Sequence, residues 1–215
     1  MAKNQPQNNV PATRRKVAPP KMQAEKLMKA AMQLFSERDF ASITIKDLAR
    51  AARVNSALIY YYFKSKEDLF RVMIEDAILH ALANYARLEV RHSDPVHMID
   101  AWFDNNVQMS VLIRQLVKIM IDYCHGSNRI PSVDAMIRRF YKEETSIIAS
   151  GIRHGIAQGT FQNVDPEQTA RFVSVHLDGI MVAAMVRPGF DVPSAMAELR
   201  QIFWERLSKP TRRAA

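Results

Sequence analysis

Residues 43–63, ITIKDLARAARVNSALIYYYF, constrain this chain more than any other stretch. Thr44 followed three residues later by Asp47 forms a capping box with Asp in place of Glu, so a helix should start at Ile45 with Leu48, Ala49 and Ala52 facing inward. Asn55 is suited to cap the next helix, because its side chain can accept from an otherwise orphan backbone N–H. Only residues 52–55 separate the two helices. Length, caps and small residues together predict a helix-turn-helix.

The remaining chain reads as helix throughout. Six glycines are few for 215 residues, and strand-like alternation is nearly absent. Ala24, Leu27, Met28, Ala31, Leu34 and Phe35 recur at helical spacing and place a first helix near 22–38. Ser65 with Asp68 caps a long fourth helix to about residue 91. Asp94-Pro95 opens a fifth over 95–108, and a sixth covers 109–124. A seventh runs over 132–158 and stops at Gly159. Asp165 caps an eighth to about 186, and a ninth lies near 194–208. The expected fold is all-α with about nine helices. Residues 1–21 form a disordered basic arm, 22–68 the helix-turn-helix domain, 69–208 a second helical domain and 209–215 a basic tail.

Charge separates these parts. The net charge is +8, and residues 1–70 carry 13 Lys+Arg against 6 Asp+Glu, while the rest is close to balanced. That asymmetry points to a polyanion partner at one end. A single cysteine, Cys124, excludes an internal disulfide and any Cys-based zinc site. No Gly-rich phosphate loop and no H-E-x-x-H spacing is present, so an enzyme is not expected, nor a cofactor. No uninterrupted apolar run reaches membrane-spanning length and no secretory signal opens the chain, so the expected location is the cytoplasm.

The stretch AAMQLFSERDFASITIKDLARAARVNSALIYYYFKSKEDLF resembles the DNA-binding domain of the TetR family of transcriptional regulators. GIRHGIAQGTFQNVDPEQTARF followed by DGIMVAA is similar to the seventh-to-eighth helix junction of that family. Arg53 stands where the family usually has glycine, Asn55 replaces a Ser cap, Ala57-Leu58 replaces Gly-Thr or Gly-Asn, and Tyr62 replaces His. The resemblance implies a ligand-responsive repressor that binds a near-palindromic operator as a homodimer. It also implies that the equivalent tyrosine and lysine positions touch the DNA backbone.

The residues themselves support a DNA-facing surface. Val54, Ile59 and Phe63 fall on one side of the third helix, which leaves Ser56, Ala57, Leu58, Tyr60 and Tyr61 outward. Thr44, Lys46, Tyr60, Tyr61, Lys64 and Lys66 are the phosphate candidates, with Asn55 at the helix start; Arg14, Arg15 and Lys16 in the arm are further ones. Ser56 is the only strong hydrogen-bonding group placed to reach a base edge besides the tyrosine hydroxyls. Leu58 favours a thymine methyl, and much of the specificity should come from DNA shape.

Polar residues inside apolar stripes mark an effector pocket. Asn106 interrupts Ile99, Trp102, Met109 and Ile113. Glu144 interrupts Ile137, Phe140, Ile147 and Ile148, and His176 interrupts Phe172, Val173, Leu177 and Ile180. Burying such groups unpaired costs several kcal/mol, so they need a partner or a ligand. Trp102, Asn106, Met109, Tyr123, Phe140, Glu144 and His176 are the candidate pocket residues for a small molecule of unknown identity. Gly179 and Ala183 on the eighth helix, with Leu199, Ile202 and Phe203 on the ninth, are the candidate dimer interface. A ligand-independent DNA-binding regulator or architectural protein is the rival reading.

Overall fold

The computed structural model describes residues 20–91, 94–126 and 129–209. The arm cations Arg14, Arg15 and Lys16 and most of the basic tail lie outside them. Among the described residues there are nine α-helices, one 3₁₀ turn and no strand. The fold is all-α, with an N-terminal helix-turn-helix.

Helix α1 (Pro20–Glu37) packs on α2 (Ile45–Ala52), α4 (Lys66–Arg91) and α6 (Ser110–His125). The sequence pattern misses only the 3₁₀ turn at Phe40–Ser42. That turn brings Phe40 into a knot with Phe35 and Phe70, with ring centroids 5.0 to 5.5 Å apart. Phe35 and Phe70 are fully buried, and each contributes about 1.5–3 kcal/mol to stability by burial alone.

The caps form as the sequence dictates. Thr44 Oγ1 accepts from Asp47 N, and Asp47 Oδ2 accepts from Thr44 N at 3.0 Å. Asn55 Oδ1 accepts from Leu58 N at 2.8 Å and starts α3 (Ser56–Tyr62). Ser65 Oγ accepts from Asp68 N, and Asp68 in turn accepts from Lys64 N, which fixes the start of α4. Between α2 and α3, Arg53 takes the left-handed conformation, φ 55° and ψ 48°, where its N–H closes onto Arg50 O. A side chain there costs about 1 kcal/mol relative to glycine.

The second half is a helical bundle of α5 (Pro95–Gln108), α6, α7 (Pro131–Ala157), α8 (Pro166–Val186) and α9 (Val192–Leu207), joined to the head by α4. Asp94, Asp165 and Asp191 cap α5, α8 and α9, each followed by an early proline. The α7–α8 connection turns tightly because Gly155 gives its Cβ space to the Phe161 ring. The expected boundary at residue 68 falls within the first turn of α4, so that helix serves both halves. Helix α8 is long and apolar enough to cross a membrane by length and composition. Here it packs on α6, α7 and α9 with Asp178 facing the interior.

Candidate nucleic-acid interface and interior cavity

On α3, Ile59 is fully buried and Phe63 nearly so, which turns the opposite side of the helix to solvent. Tyr60 and Tyr61 are 59% and 74% exposed, an unusual position for large aromatic rings. Ala57 is also exposed, while Ser56 and Leu58 are half-buried at the capped end of the helix. Tyr62 packs inward against the core, its ring edge-on to Tyr61 at 4.9 Å. Lys46 and Lys64 are exposed beside this surface. The head therefore presents hydroxyls and ammonium groups around one short helix. That combination suits a phosphate backbone.

Two of the proposed phosphate contacts have other partners. Lys66 Nζ donates to Phe40 O at 2.8 Å and to Ile43 O at 2.9 Å, and it sits 4.2 Å from the Phe40 ring centroid. Its charge satisfies carbonyls that the 3₁₀ turn leaves open, which removes it from the phosphate candidates. The Thr44 hydroxyl donates to Asp47 at 2.6 Å and is occupied within the capping box. Sequence spacing could not reveal the Lys66 role, because the turn that creates it is not legible there.

Inside the second half, α4, α5, α7 and α8 bring polar groups together. Ser174 Oγ donates to Glu144 Oε2 at 2.7 Å. The Tyr85 hydroxyl lies 3.2 Å from Asn106 Oδ1 and 3.3 Å from Glu144 Oε1, and Asn106 Nδ2 donates to Trp102 O at 2.8 Å. Burial pushes the Glu144 carboxyl up to about 7. Burial likewise raises Tyr85, with the Glu144 charge adding to it, and raises Asp178. Tyr85, Asn106, Glu144 and Asp178 border a cavity of about 60 Å³, walled also by Phe140, Tyr141, Ile113 and Met120. A larger cleft of about 330 Å³ adjoins it between α1, α4, α5 and α6, sharing Ala77, Ala81, Tyr85, Ile113 and Leu116 as a common wall.

Asn106, Phe140 and Glu144 thus line the cavity as expected from the stripes, and Met109 lines the adjoining cleft. Three other candidates lie elsewhere. Trp102 is fully buried and does not line the cavity, but its carbonyl holds Asn106. Tyr123 stacks on Phe70 at 5.6 Å, its hydroxyl donating to Asp134 at 2.8 Å and accepting from Ile130 N, at the junction with the head. His176 is exposed, with its ring against Phe172 and Nδ1 paired with Phe172 O. The stripe on α8 is rotated from the one read in sequence. Its buried positions include Val173, Ser174, Leu177 and Met181, so Ser174 and Asp178, four residues apart, face the interior with Leu177. His176 is about 200° from either. The missed groups Tyr85, Tyr141, Ser174 and Asp178 left one usable signal: two polar residues at i and i+4 on an otherwise apolar helix.

The candidate dimer residues divide in the same way. Leu199 and Phe203 are buried within the protomer, Phe203 against Phe103 at 5.6 Å, and cannot face a second copy. Gly179 is open, with no atom near the position of a Cβ, and Ala183 is half-buried. Around them Val175 and Val186 are 61% and 68% exposed, and Ile202 on α9 is 50% exposed. An exposed apolar stripe of this kind on a helix suits a contact surface.

Residues 27–73 match the family model described as bacterial regulatory proteins, tetR family, and residues 95–209 match that of the BetI-type transcriptional repressor, C-terminal. The chain is similar to the HTH-type transcriptional repressor KstR2 of Mycolicibacterium smegmatis, 23% identical over 155 residues, covering 72% of this chain and 75% of that protein. Its fold is similar to that of a putative transcriptional regulator from Saccharomonospora viridis in complex with choline, with a TM-score of 0.78 and 19% identity over 88% of this chain and 100% of the other. It is also similar to SmeT, the repressor of a Stenotrophomonas maltophilia multidrug efflux pump, in its triclosan complex, with a TM-score of 0.72 and 19% identity over 87% and 92% of the two chains.

Proposed function

Because the chain belongs to the TetR family of DNA-binding transcriptional regulators, we propose that it is a homodimeric repressor whose hold on a near-palindromic operator is released by a small molecule in the interior cavity. One observation carries this reading: α4 is a single helix that starts against the reading head and presents Tyr85 to the cavity. A ligand that displaces Tyr85 or its neighbours acts directly on the element that holds the head. Its leverage equals its difference in affinity between the DNA-fitting and released arrangements.

Residues 22–68 act as the DNA-binding part and 69–208 as the effector and dimer part. Tyr60, Tyr61, Lys46 and Lys64 hold phosphates, backbone N–H groups at the start of α3 add to them, and Ser56, Ala57 and Leu58 meet base edges. The exposed stripe on α8 and α9 supports the two-fold contact, with Val175, Gly179, Ala183 and Ile202 at its centre. The protein works in the cytoplasm, where its operator is. The fold neighbours that hold choline and triclosan support a ligand-accepting cavity in this architecture.

The reading is tested by recovering genomic DNA bound to the purified protein and following its release by fluorescence anisotropy as cavity ligands are added. Release by a ligand that binds the cavity is expected. Unchanged DNA affinity at saturating cavity ligand would favour the ligand-independent regulator.

A further inference from the structure

Two carboxyl groups line the interior cavity, and among the described residues no lysine, arginine or histidine lines it with them. Glu144 is 2% exposed and Asp178 half-buried; Ser174, Asp178 and Tyr85 are the polar groups acting on Glu144, and Tyr141 is the one acting on Asp178. Among the described residues no lysine, arginine or histidine acts on either carboxyl. Around Glu144, α4 presents Tyr85, α5 Asn106, α7 Tyr141 and α8 Ser174 and Asp178, while α6 supplies only apolar walls. Ionising a buried carboxyl group without a cation costs several kcal/mol, so a core built only for packing would place a hydrophobe there. The adjoining cleft is different in character: Met28 and Met32 on α1, Met73 on α4 and Met109 after α5 give it an adaptable apolar stripe, beside the exposed charges of Glu25 and Lys29 and the polar groups of Asp76 and His80.

We propose that cavity and cleft together bind an amphiphilic organic cation, with its ammonium head beside Glu144 and Asp178 and its apolar chain laid along the methionines towards α1. This rests on the effector reading and names the class of effector. Tyr141 and Phe140 line the same cavity, where aromatic rings favour a cationic head. The chain reaches α1, part of the reading head, so one ligand touches both halves of the protein. Burial raises the Glu144 carboxyl to about 7, so a substantial share of it is protonated near neutral pH. A bound cation favours the carboxylate, so binding releases a proton and strengthens as pH rises between about 6 and 8.

Calorimetric titration of the full chain with octyltrimethylammonium, tetramethylammonium, octanoate and octanol tests this. Octyltrimethylammonium binds tightest and gains affinity with pH. Glu144→Gln and Asp178→Asn, each checked by circular dichroism for an intact fold, weaken it roughly thirtyfold. Met32→Glu weakens octyltrimethylammonium but not tetramethylammonium. Equal binding of octanoate or octanol, unchanged affinity in both carboxyl variants, or no binding by any of the four overturns the proposal. If octyltrimethylammonium binds as described but leaves the protein on DNA, the ligand class stands and the effector reading fails. If octanoate or octanol releases the DNA, the effector reading stands and the cation proposal fails.

Discussion

The rings of Phe70 and Tyr123 stack 5.6 Å apart at 29°, and they join the reading head to the helical bundle. Phe70 closes the head's aromatic knot, while Tyr123 is held through Asp134 and Ile130 at the start of α7. Arg129 covers the other side, paired with Asp134 at 2.8 Å and 4.9 Å from the Tyr123 ring. In the proposed mechanism this joint, besides α4, is a second contact between the bundle and the head.

Phe70→Ala should therefore destabilise the protein by about 3–5 kcal/mol, the usual cost of emptying a buried phenylalanine site. Urea unfolding measures this directly. A loss below about 1 kcal/mol would show that the knot is not the core of the head.

Lys66 and Lys64 should part company on substitution. Lys66→Ala leaves the Phe40 and Ile43 carbonyls without their donor, at a cost of roughly 1–3 kcal/mol, and does not alter the salt dependence of DNA binding. Lys64→Ala changes stability by less than about 0.5 kcal/mol and lowers the salt slope by about one. Reversal of the two slopes would return Lys66 to the DNA surface.

The Glu144 carboxyl binds its proton more tightly in the folded state than in the unfolded chain, because burial raises it from 4.5 to about 7. A group raised in this way favours the folded state while protonated, and that contribution is lost as pH rises through the interval. Glu144→Gln should thus stabilise the ligand-free protein by roughly 1–3 kcal/mol at pH 8 and change little near pH 5. Thermal melts at both values decide it; equal shifts at the two would mean that Glu144 does not titrate there.

Val175→Glu should yield folded monomers by sedimentation, since the side chain points outward and carries no core packing. Phe203→Ala should instead lower stability by about 3–5 kcal/mol, as its ring is fully buried within the protomer. A dimer that survives Val175→Glu intact would move the interface off α8.

Helix boundaries were legible because local chemistry sets them: Thr44, Asn55, Ser65, Asp94 and Asp165 each mark a start in the sequence and each caps a helix in the structure. The outward tyrosines followed from Ile59 and Phe63 by helical geometry. The face of α8 did not, since Phe172, His176 and Ile180 fit a stripe about as well as Val173, Leu177 and Met181. Only packing on α6, α7 and α9 chooses between the two. The role of Lys66 depends on carbonyls more than twenty residues away, which no local pattern encodes.

The most direct test of the central claim is selection of DNA from a random library by the full protein. The expected product is a near-palindrome whose half-site centres lie about 34–36 Å apart, one helical turn of duplex, with affinity lost in the Tyr60→Ala, Tyr61→Ala double variant. Recovery of no preferred sequence, or of a site bound equally well by the double variant, would contradict it.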